Sequence, residues 1–144
     1  AAMAQKDLPL ADRLWREVLE RSPRNVDGYR GMALVSLWSG DVEAALESLE
    51  QGLALRADDE ELLRLRAEAL TAGNRLREAA DQLALLPTDT VRANLQLGRL
   101  HQRMGEMEEA KQWYRKGLEI APDNRWLGLY LANRLAADAP GAAS

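Results

Sequence analysis

Apolar and polar residues follow the period of amphipathic α-helices along most of the chain. Over residues 27–39, side chains at i, i+3, i+4 and i+7 predict a helix with one buried face, formed by Tyr29, Met32, Ala33 and Ser36. Gly40 is expected to end this helix, because a residue without a Cβ adopts the left-handed turn conformation at little cost. Asp41 is placed to cap a second helix over residues 42–56. That helix is expected to bury Ala45, Leu49, Gly52 and Leu53.

The same pair of helices recurs along the chain with a period of roughly 34 residues. An alanine position returns at intervals of 34, 34 and 31 residues, in Ala11, Ala45, Ala79 and Ala110. A glycine position returns at intervals of 33 and 32 residues, in Gly40, Gly73 and Gly105. In the middle copy, Gly73-Asn74 is expected to lengthen the turn between the helices, and Pro87 to end the second helix about one turn early. The acidic residues 58–61 are expected at a helix N-terminus, where the helix dipole favours negative charge.

This register resembles the tetratricopeptide repeat (TPR) family. Residues 91–124 carry the residues of the family pattern at positions 7, 8, 15, 20, 24, 27 and 32, which are Leu97, Gly98, Gly105, Ala110, Tyr114, Gly117 and Pro122. Asn94 and His101 replace the aromatic residue at position 4 and the tyrosine at position 11. The resemblance implies an all-α fold, a right-handed superhelical solenoid of antiparallel helix pairs.

The resemblance also divides the chain into repeat segments. These are a half repeat with a second helix only (1–25), a TPR unit (26–59), a divergent and shortened unit (60–90), a TPR unit (91–124), a first-type or capping helix (125–137) and a disordered tail (138–144). A chain that starts and stops inside repeats is expected to be an internal fragment of a longer TPR protein. The 16 arginines against 3 lysines suggest a bacterial source with a GC-rich genome. Whether helix 125–137 is a cap or half of a truncated repeat stays open.

Charge and residue content narrow the function. The net charge of −4 argues against nucleic acid, which requires a concentrated positive field. The longest apolar runs are too short to span a bilayer. There is no cysteine, and the one histidine, His101, is interpreted as a packed side chain. No serine lies in a strained G-x-S-x-G turn. We therefore predict no catalytic residues, no metal site, no cofactor and no enzymatic activity.

Surface recognition remains, and the resemblance indicates where it would occur. In TPR proteins the first helix of each unit lines a concave groove, with groove-facing side chains mainly at positions 2, 5, 9, 12 and 13. Carried over to this chain, these positions give a candidate partner-binding set of Arg30, Leu34, Leu37, Trp38, Arg64, Glu68, Arg92, Arg99 and Arg103. The set contains an apolar patch around Trp38 and a basic stripe on one helix.

Each of these two features has a structural alternative. Trp38 is a candidate anchor, because tryptophan is frequent among binding hot spots, but it could equally pack on the neighbouring first helix. The stripe of Arg92, Arg99 and Arg103 suits an acidic peptide or an anionic polymer, but it could equally pair with acidic residues across the groove. Binding of a chaperone C-terminal tail is not expected, since Leu34 stands where that clamp has asparagine.

We predict a non-catalytic scaffold that binds a peptide or a partner domain in the groove of the stack. An alternative is a periplasmic TPR segment of a bacterial exopolysaccharide export machine, which recruits polymer-modifying enzymes or contacts the polymer. An RNA-binding helical repeat is disfavoured by the acidic charge balance. Weak self-association through the ends of the stack is expected, and the sequence leaves bacterial cytoplasm and periplasm equally open.

Overall fold

The computed structural model describes residues 7–138, apart from the side chains of residue 130 and residues 134–138. Within this range the chain forms eight α-helices and no strand, in the order α1 (Leu8–Arg21), α2 (Val26–Trp38), α3 (Val42–Leu55), α4 (Glu60–Ala72), α5 (Leu76–Ala84), α6 (Val91–Arg103), α7 (Met107–Ile120) and α8 (Arg125–Asp138). They fall into two compact units, of which the first ends at Arg75 and the second begins at Leu76. The predicted tail after residue 138 lies outside the described residues.

The first helix of every pair starts at a side-chain cap that recurs with the repeat. Asn25, Asp59, Thr90 and Asn124 each accept a hydrogen bond from the backbone N–H three residues ahead, at 3.0 to 3.2 Å. Such a cap satisfies one of the donors left free at a helix start, and each contributes about 1 kcal/mol to stability. The predicted cap of α3 is confirmed, because Asp41 accepts from the Ala44 N–H at 3.1 Å. Local side-chain caps therefore mark the starts of α2, α3, α4, α6 and α8.

The turns inside the helix pairs all have the same length, which corrects one prediction. Three residues separate α2 from α3, α4 from α5 and α6 from α7, so Gly73-Asn74 does not lengthen the middle turn. The left-handed residue is Gly40 (φ +82°) in the first turn, Asn74 (φ +61°) in the second and Gly105 (φ +80°) in the third. Asn74, rather than Gly73, is therefore the counterpart of the two glycines. Asparagine tolerates this conformation better than other residues with a Cβ.

The corrected register locates the shortening of the middle repeat. The left-handed residues now recur at 34 and 31 residues, and the caps Asn25, Asp59 and Thr90 recur at the same two intervals. The shortening falls after Ala79, because α5 has nine residues whereas α3 and α7 have 14. The early end of the second helix before Pro87 is confirmed.

In the first unit, α2 packs against α1 and α3, and α4 packs against α3 and touches α2. The fully buried side chains at these contacts are small or aliphatic, namely Ala33, Ala45, Leu49, Leu62, Ala69 and Leu70. Leu53 is only half-buried, unlike the other three residues predicted for the buried face of α3. On α2 the predicted buried face is similarly incomplete, because Ala33 is buried whereas Tyr29, Met32 and Ser36 are half-buried.

In the second unit, α6 packs against α5 and α7, and α7 packs against α8. Tyr114 of α7 is fully buried with Ala110 and Leu127. Its ring lies against α6 at Gly98, where an added Cβ would come within 2.3 Å of the ring. Glycine is required here because only a residue without a side chain allows this approach.

Candidate partner-binding surfaces

The candidate apolar patch lies on one side of α2 in the first unit. Trp38 is the last residue of the helix, and its side chain is 51% exposed. Leu34, one turn earlier, and Leu37, the preceding residue, are half-buried. Tryptophan is on average a largely buried residue, so a half-exposed ring beside two leucines is an apolar surface that the core of this unit does not use.

Arg30 lies on the same helix but is surrounded by carboxylates. It forms ion pairs with Asp27 on α2, with Asp59 at 3.7 Å and with Glu61 at 3.4 Å. Its side chain is 22% exposed. Three carboxylates around one guanidinium leave this cluster with a net negative charge. Arg30 therefore connects α2 to the start of α4 and has little charge left for an acidic ligand.

The two remaining candidates of the first unit lie on α4. Arg64 is half-buried and Glu68 is exposed. Glu61, at the start of α4, pairs with Arg30 inside the first unit.

The predicted basic stripe lies on α6 in the second unit. Arg92, Arg99 and Arg103 are exposed. At about 100° per residue, their positions fall within about 40° of one another around the helix. In the part of the second unit that the structure describes, no ion pair joins any of the three to a carboxylate. Three solvated guanidinium groups therefore make this face of α6 locally positive.

His101 is engaged in local packing. Its Nδ1 lies 2.9 Å from Glu106 Oε1, and its ring stacks on Trp113 with centroids 6.5 Å apart. Glu106 also receives a hydrogen bond from Arg77 of α5. The pKa of Glu106 is lowered, first by this bond from Arg77 and then by His101, and the pKa of Arg77 is raised by the same bond. The three side chains form a hydrogen-bonded network that ties α5 to the end of α6.

The other tryptophans have mainly structural contacts. Trp15 of α1 is half-buried and lies over Gly31 of α2, where an added Cβ would meet its ring at 2.1 Å. Trp113 stacks on His101, and the Lys116 ammonium lies 5.0 Å from the Trp113 ring centroid.

Among the residues that the structure describes, no group of three or more His, Cys, Asp or Glu side chains could hold a metal ion. No helix in the same residues is long and apolar enough to cross a membrane.

The sequence analysis did not predict a cleft of about 720 Å³ that lies between α1 and α3, with α2 as its floor. Its floor contains Tyr29, Met32 and Ser36, the residues predicted to be buried. The sequence pattern that accompanies this cleft is the polar and acidic residues on the facing sides of α1 and α3. In the sequence alone, this pattern looks the same as two ordinary solvent-exposed helix faces.

Comparison with known proteins agrees with the helix-pair architecture. Two tetratricopeptide repeat models match the chain, over residues 2–69 and residues 91–124. A crystal structure of MamA has a TM-score of 0.81 at 24% identity, covering 92% of this chain and 80% of that one. A structure of PilF from Pseudomonas aeruginosa has a TM-score of 0.77 at 22% identity, covering 93% of this chain and 63% of that one. At these identities the likeness concerns the fold.

A relative of known name is protein O-mannosyl-transferase TMTC1 of Mus musculus, which is 24% identical over 132 residues. The match covers 85% of this chain but only 14% of the length of TMTC1. The repeat models, the solved structures and the helix pairs described above all indicate one fold class, an all-α helical-repeat solenoid of the kind that generally acts as a non-catalytic interaction scaffold. The chain therefore belongs to the tetratricopeptide repeat family and is a protein-interaction scaffold.

Proposed function

We propose that the chain binds an apolar segment of a partner protein on the exposed side of α2, with Trp38 as the main anchor. The observation that carries the proposal is the exposed half of the Trp38 ring next to Leu34 and Leu37. Helix α2 packs against α1, α3 and α4, so a partner meets a preformed surface. A preformed surface loses little conformational entropy on binding.

The size of the anchor sets the expected affinity contribution. A tryptophan buries about 150–250 Å², and 51% of the Trp38 side chain is still exposed. Covering about 100 Å² of apolar surface at about 25 cal/mol per Å² stabilises a complex by about 2.5 kcal/mol. That corresponds to about 70-fold in Kd.

The charges beside this anchor indicate the polarity of the partner. The Arg30 cluster carries more carboxylates than cations, and Glu68 is exposed on α4. A partner segment with basic residues next to its apolar ones therefore suits this side of the first unit better than an acidic one. Arg30 itself is proposed to act by holding α2 and α4 together rather than by contacting the partner.

The test is a comparison of three proteins in a quantitative pull-down from cells of the source organism: wild type, Trp38→Ala and Trp126→Ala. Trp126 is the matched control, because it is also exposed (65%) but lies on α8. We expect a defined set of proteins to be retained by wild type and Trp126→Ala and lost with Trp38→Ala. Circular dichroism checks that all three are folded. Equal retention by all three would show that Trp38 is not an anchor.

For the second unit we propose that Arg92, Arg99 and Arg103 bind carboxylates of a ligand. Their shared helix face and their lack of an ion pair within the described part of that unit support this. The Arg99→Ala/Arg103→Ala variant should bind an acidic peptide more weakly than wild type, and the difference should shrink at high salt. Arg115→Ala, an exposed arginine on α7, is the control.

The same arginines test the polysaccharide-export alternative. An anionic polysaccharide would have to bind the second unit with the same salt dependence, and to compete with the acidic peptide for Arg99 and Arg103. If the peptide binds and the polysaccharide does not compete, contact with the polymer is excluded as the role of this stripe. If only the polysaccharide binds, the alternative is favoured over a peptide ligand.

A further inference from the structure

The cleft between α1 and α3 lies on a different side of α2 from Trp38. At about 100° per residue, Tyr29, Met32 and Ser36 centre about 170° around α2 from Leu34 and Trp38. The two surfaces therefore lie on opposite sides of the same helix. The cleft is formed entirely by the first unit, with walls from α1 and α3.

The floor of the cleft is apolar and only partly covered. Tyr29 and Met32 on the floor are half-buried, as are Leu8 and Leu19 on the α1 wall and Ala44 on the α3 wall, and Ser36 adds one polar side chain to the floor. Methionine fills irregular apolar gaps and adapts to different partners. A floor of this kind can take up long aliphatic side chains from another molecule.

The rim of the cleft is acidic. Among the residues from 7 onward that the structure describes, its charged lining consists of four carboxylates, from Asp12, Glu20, Asp41 and Glu47, and one cation, Arg16. Arg16 is already paired with Asp12 at 2.8 Å. Four negative charges and one positive charge leave a net charge of −3 around an apolar floor. Charge complementarity therefore selects a basic occupant.

The geometry of the walls selects a helical occupant. Helix α1 precedes α2 and α3 follows it, each through a short turn. Both therefore run antiparallel to α2 and parallel to each other. The space above one helix and between two parallel ones is the shape that a further helix fills with apolar side chains at i, i+3, i+4 and i+7. Helix α1 has 14 residues, so the wall is about 21 Å long and matches about four turns of a partner helix.

We propose that this cleft binds a basic amphipathic helix of a partner protein. Its apolar face would lie on Met32 and Tyr29, and its lysines or arginines would meet Glu20 on one wall and Glu47 on the other. This site is independent of the proposed ligand of the Trp38 surface.

The probe is a labelled 16-residue helical peptide of leucine and lysine, with leucines at the i, i+3, i+4, i+7 spacing. A peptide of the same composition in scrambled order serves as its control. Fluorescence anisotropy should show binding of the amphipathic peptide to wild-type protein. The scrambled peptide carries the same charge but has no continuous apolar face, so it should bind about tenfold more weakly.

The decisive comparison uses two charge-matched double variants. Glu20→Lys/Glu47→Lys reverses the two rim charges, whereas Glu17→Lys/Glu50→Lys reverses exposed charges on the same two helices that do not line the cleft. The rim variant should weaken binding of the amphipathic peptide about tenfold, because two attractions become two repulsions. The control variant should stay within about twofold of wild type.

A third variant tests the floor. Ser36→Trp places a bulky ring in the cleft and should abolish peptide binding with a wild-type circular dichroism spectrum. Trp38→Ala should leave peptide binding unchanged, which separates this site from the proposed function.

Four results would overturn the inference: no binding to wild type, equal binding of both peptides, equal losses in the two charge variants, or binding by a folded Ser36→Trp protein. Sedimentation supplies a fifth. If wild type dimerises and the rim variant does not, a second copy of the chain fills the cleft instead.

Discussion

The close contact between Gly98 and Tyr114 gives the sharpest test of how the second unit is packed. A Cβ at position 98 would lie 2.3, 2.5 and 2.9 Å from three carbons of the Tyr114 ring, where ordinary contact needs at least 3.4 Å. The ring is fully buried, and its hydroxyl donates a hydrogen bond to Gln102 at 2.7 Å. Gly98→Ala therefore requires the ring to move by about 1 Å in a site with little free space.

The expected cost follows from three contributions. Overpacking of a core costs about 1–3 kcal/mol, and distortion of the Tyr114–Gln102 hydrogen bond costs about 1 kcal/mol more. Alanine returns about 1 kcal/mol because its helix propensity exceeds that of glycine. The free energy of unfolding should therefore fall by about 1–3 kcal/mol.

Gly128 of α8 is the matched control, because a Cβ there would have no atom within 4 Å. Gly128→Ala should raise the free energy of unfolding by about 0.4–1 kcal/mol, so the two identical substitutions should have opposite signs. The measurement is urea denaturation followed by circular dichroism and tryptophan fluorescence. In a Tyr114→Leu background the cost of Gly98→Ala should largely disappear. If Gly98→Ala were as stabilising as Gly128→Ala, the described packing of α6 on α7 would be refuted.

Three further outcomes are expected. Asn74→Ala should lower the free energy of unfolding by about 1 kcal/mol while Asn74→Gly leaves it near wild type, because position 74 has φ +61°; thermal melts of both variants check this. The pKa of Glu106 is held below its ordinary value of 4.5 by Arg77 and then His101, so its contribution to stability is complete above pH 4.5 and is lost as the pH falls through the lowered pKa. Glu106→Gln should be less stable than wild type at pH 7, with a difference that narrows below pH 4.5, whereas the control Glu119→Gln, at an exposed position, should change the free energy of unfolding at pH 7 by no more than about 0.5 kcal/mol. Trp126 and Leu129 of α8 are 65% and 55% exposed. Changing both to serine should therefore reduce the weak self-association that we expect at high protein concentration. Sedimentation of the two proteins checks this, and an unchanged distribution of species would exclude α8 as the contact.

Helix starts and the helix-pair repeat were predictable because they depend on local chemistry. Asp41 caps α3 through a bond three residues ahead, and Gly40 has the left-handed conformation that only its residue type makes easy. The prediction for the turn between α4 and α5 was wrong because local chemistry does not separate two adjacent turn-forming residues. Gly73 is the more obvious breaker, yet Asn74 takes the left-handed position, and the two residues are adjacent in the sequence with similar preferences. A pattern can place such a turn only to within one residue.

Asn94 shows what happens where the repeat departs from the family pattern. It replaces an aromatic residue and is fully buried, and its Nδ2 donates to the carbonyls of Thr88 (2.8 Å) and Thr90 (2.7 Å). These carbonyls belong to the segment that follows the short helix α5. The asparagine thus joins the start of α6 to the irregular segment after the shortened α5 by two side-chain hydrogen bonds, and the Thr90 carbonyl also accepts the Asn94 backbone N–H at 3.2 Å. The sequence contains both the substitution and the shortening, but only the structure connects them.

The candidate site could be predicted less completely than the fold, and Arg30 explains why. The repeat register assigns Arg30 to a ligand-facing position from its place in α2 alone. The positive charge of Arg30, however, is neutralised by Asp59 and Glu61 at the start of α4, about thirty residues later. These ion pairs exist only once α2 and α4 are adjacent. Trp38 stays half-exposed, although the same register assigned both Trp38 and Arg30 to the ligand-facing side of α2. A repeat pattern therefore tells which side of a helix a residue occupies. Whether that residue remains free to bind depends on charges and apolar surfaces that other helices bring to it, so the exposed half of Trp38 is stronger support for a binding site than its repeat position.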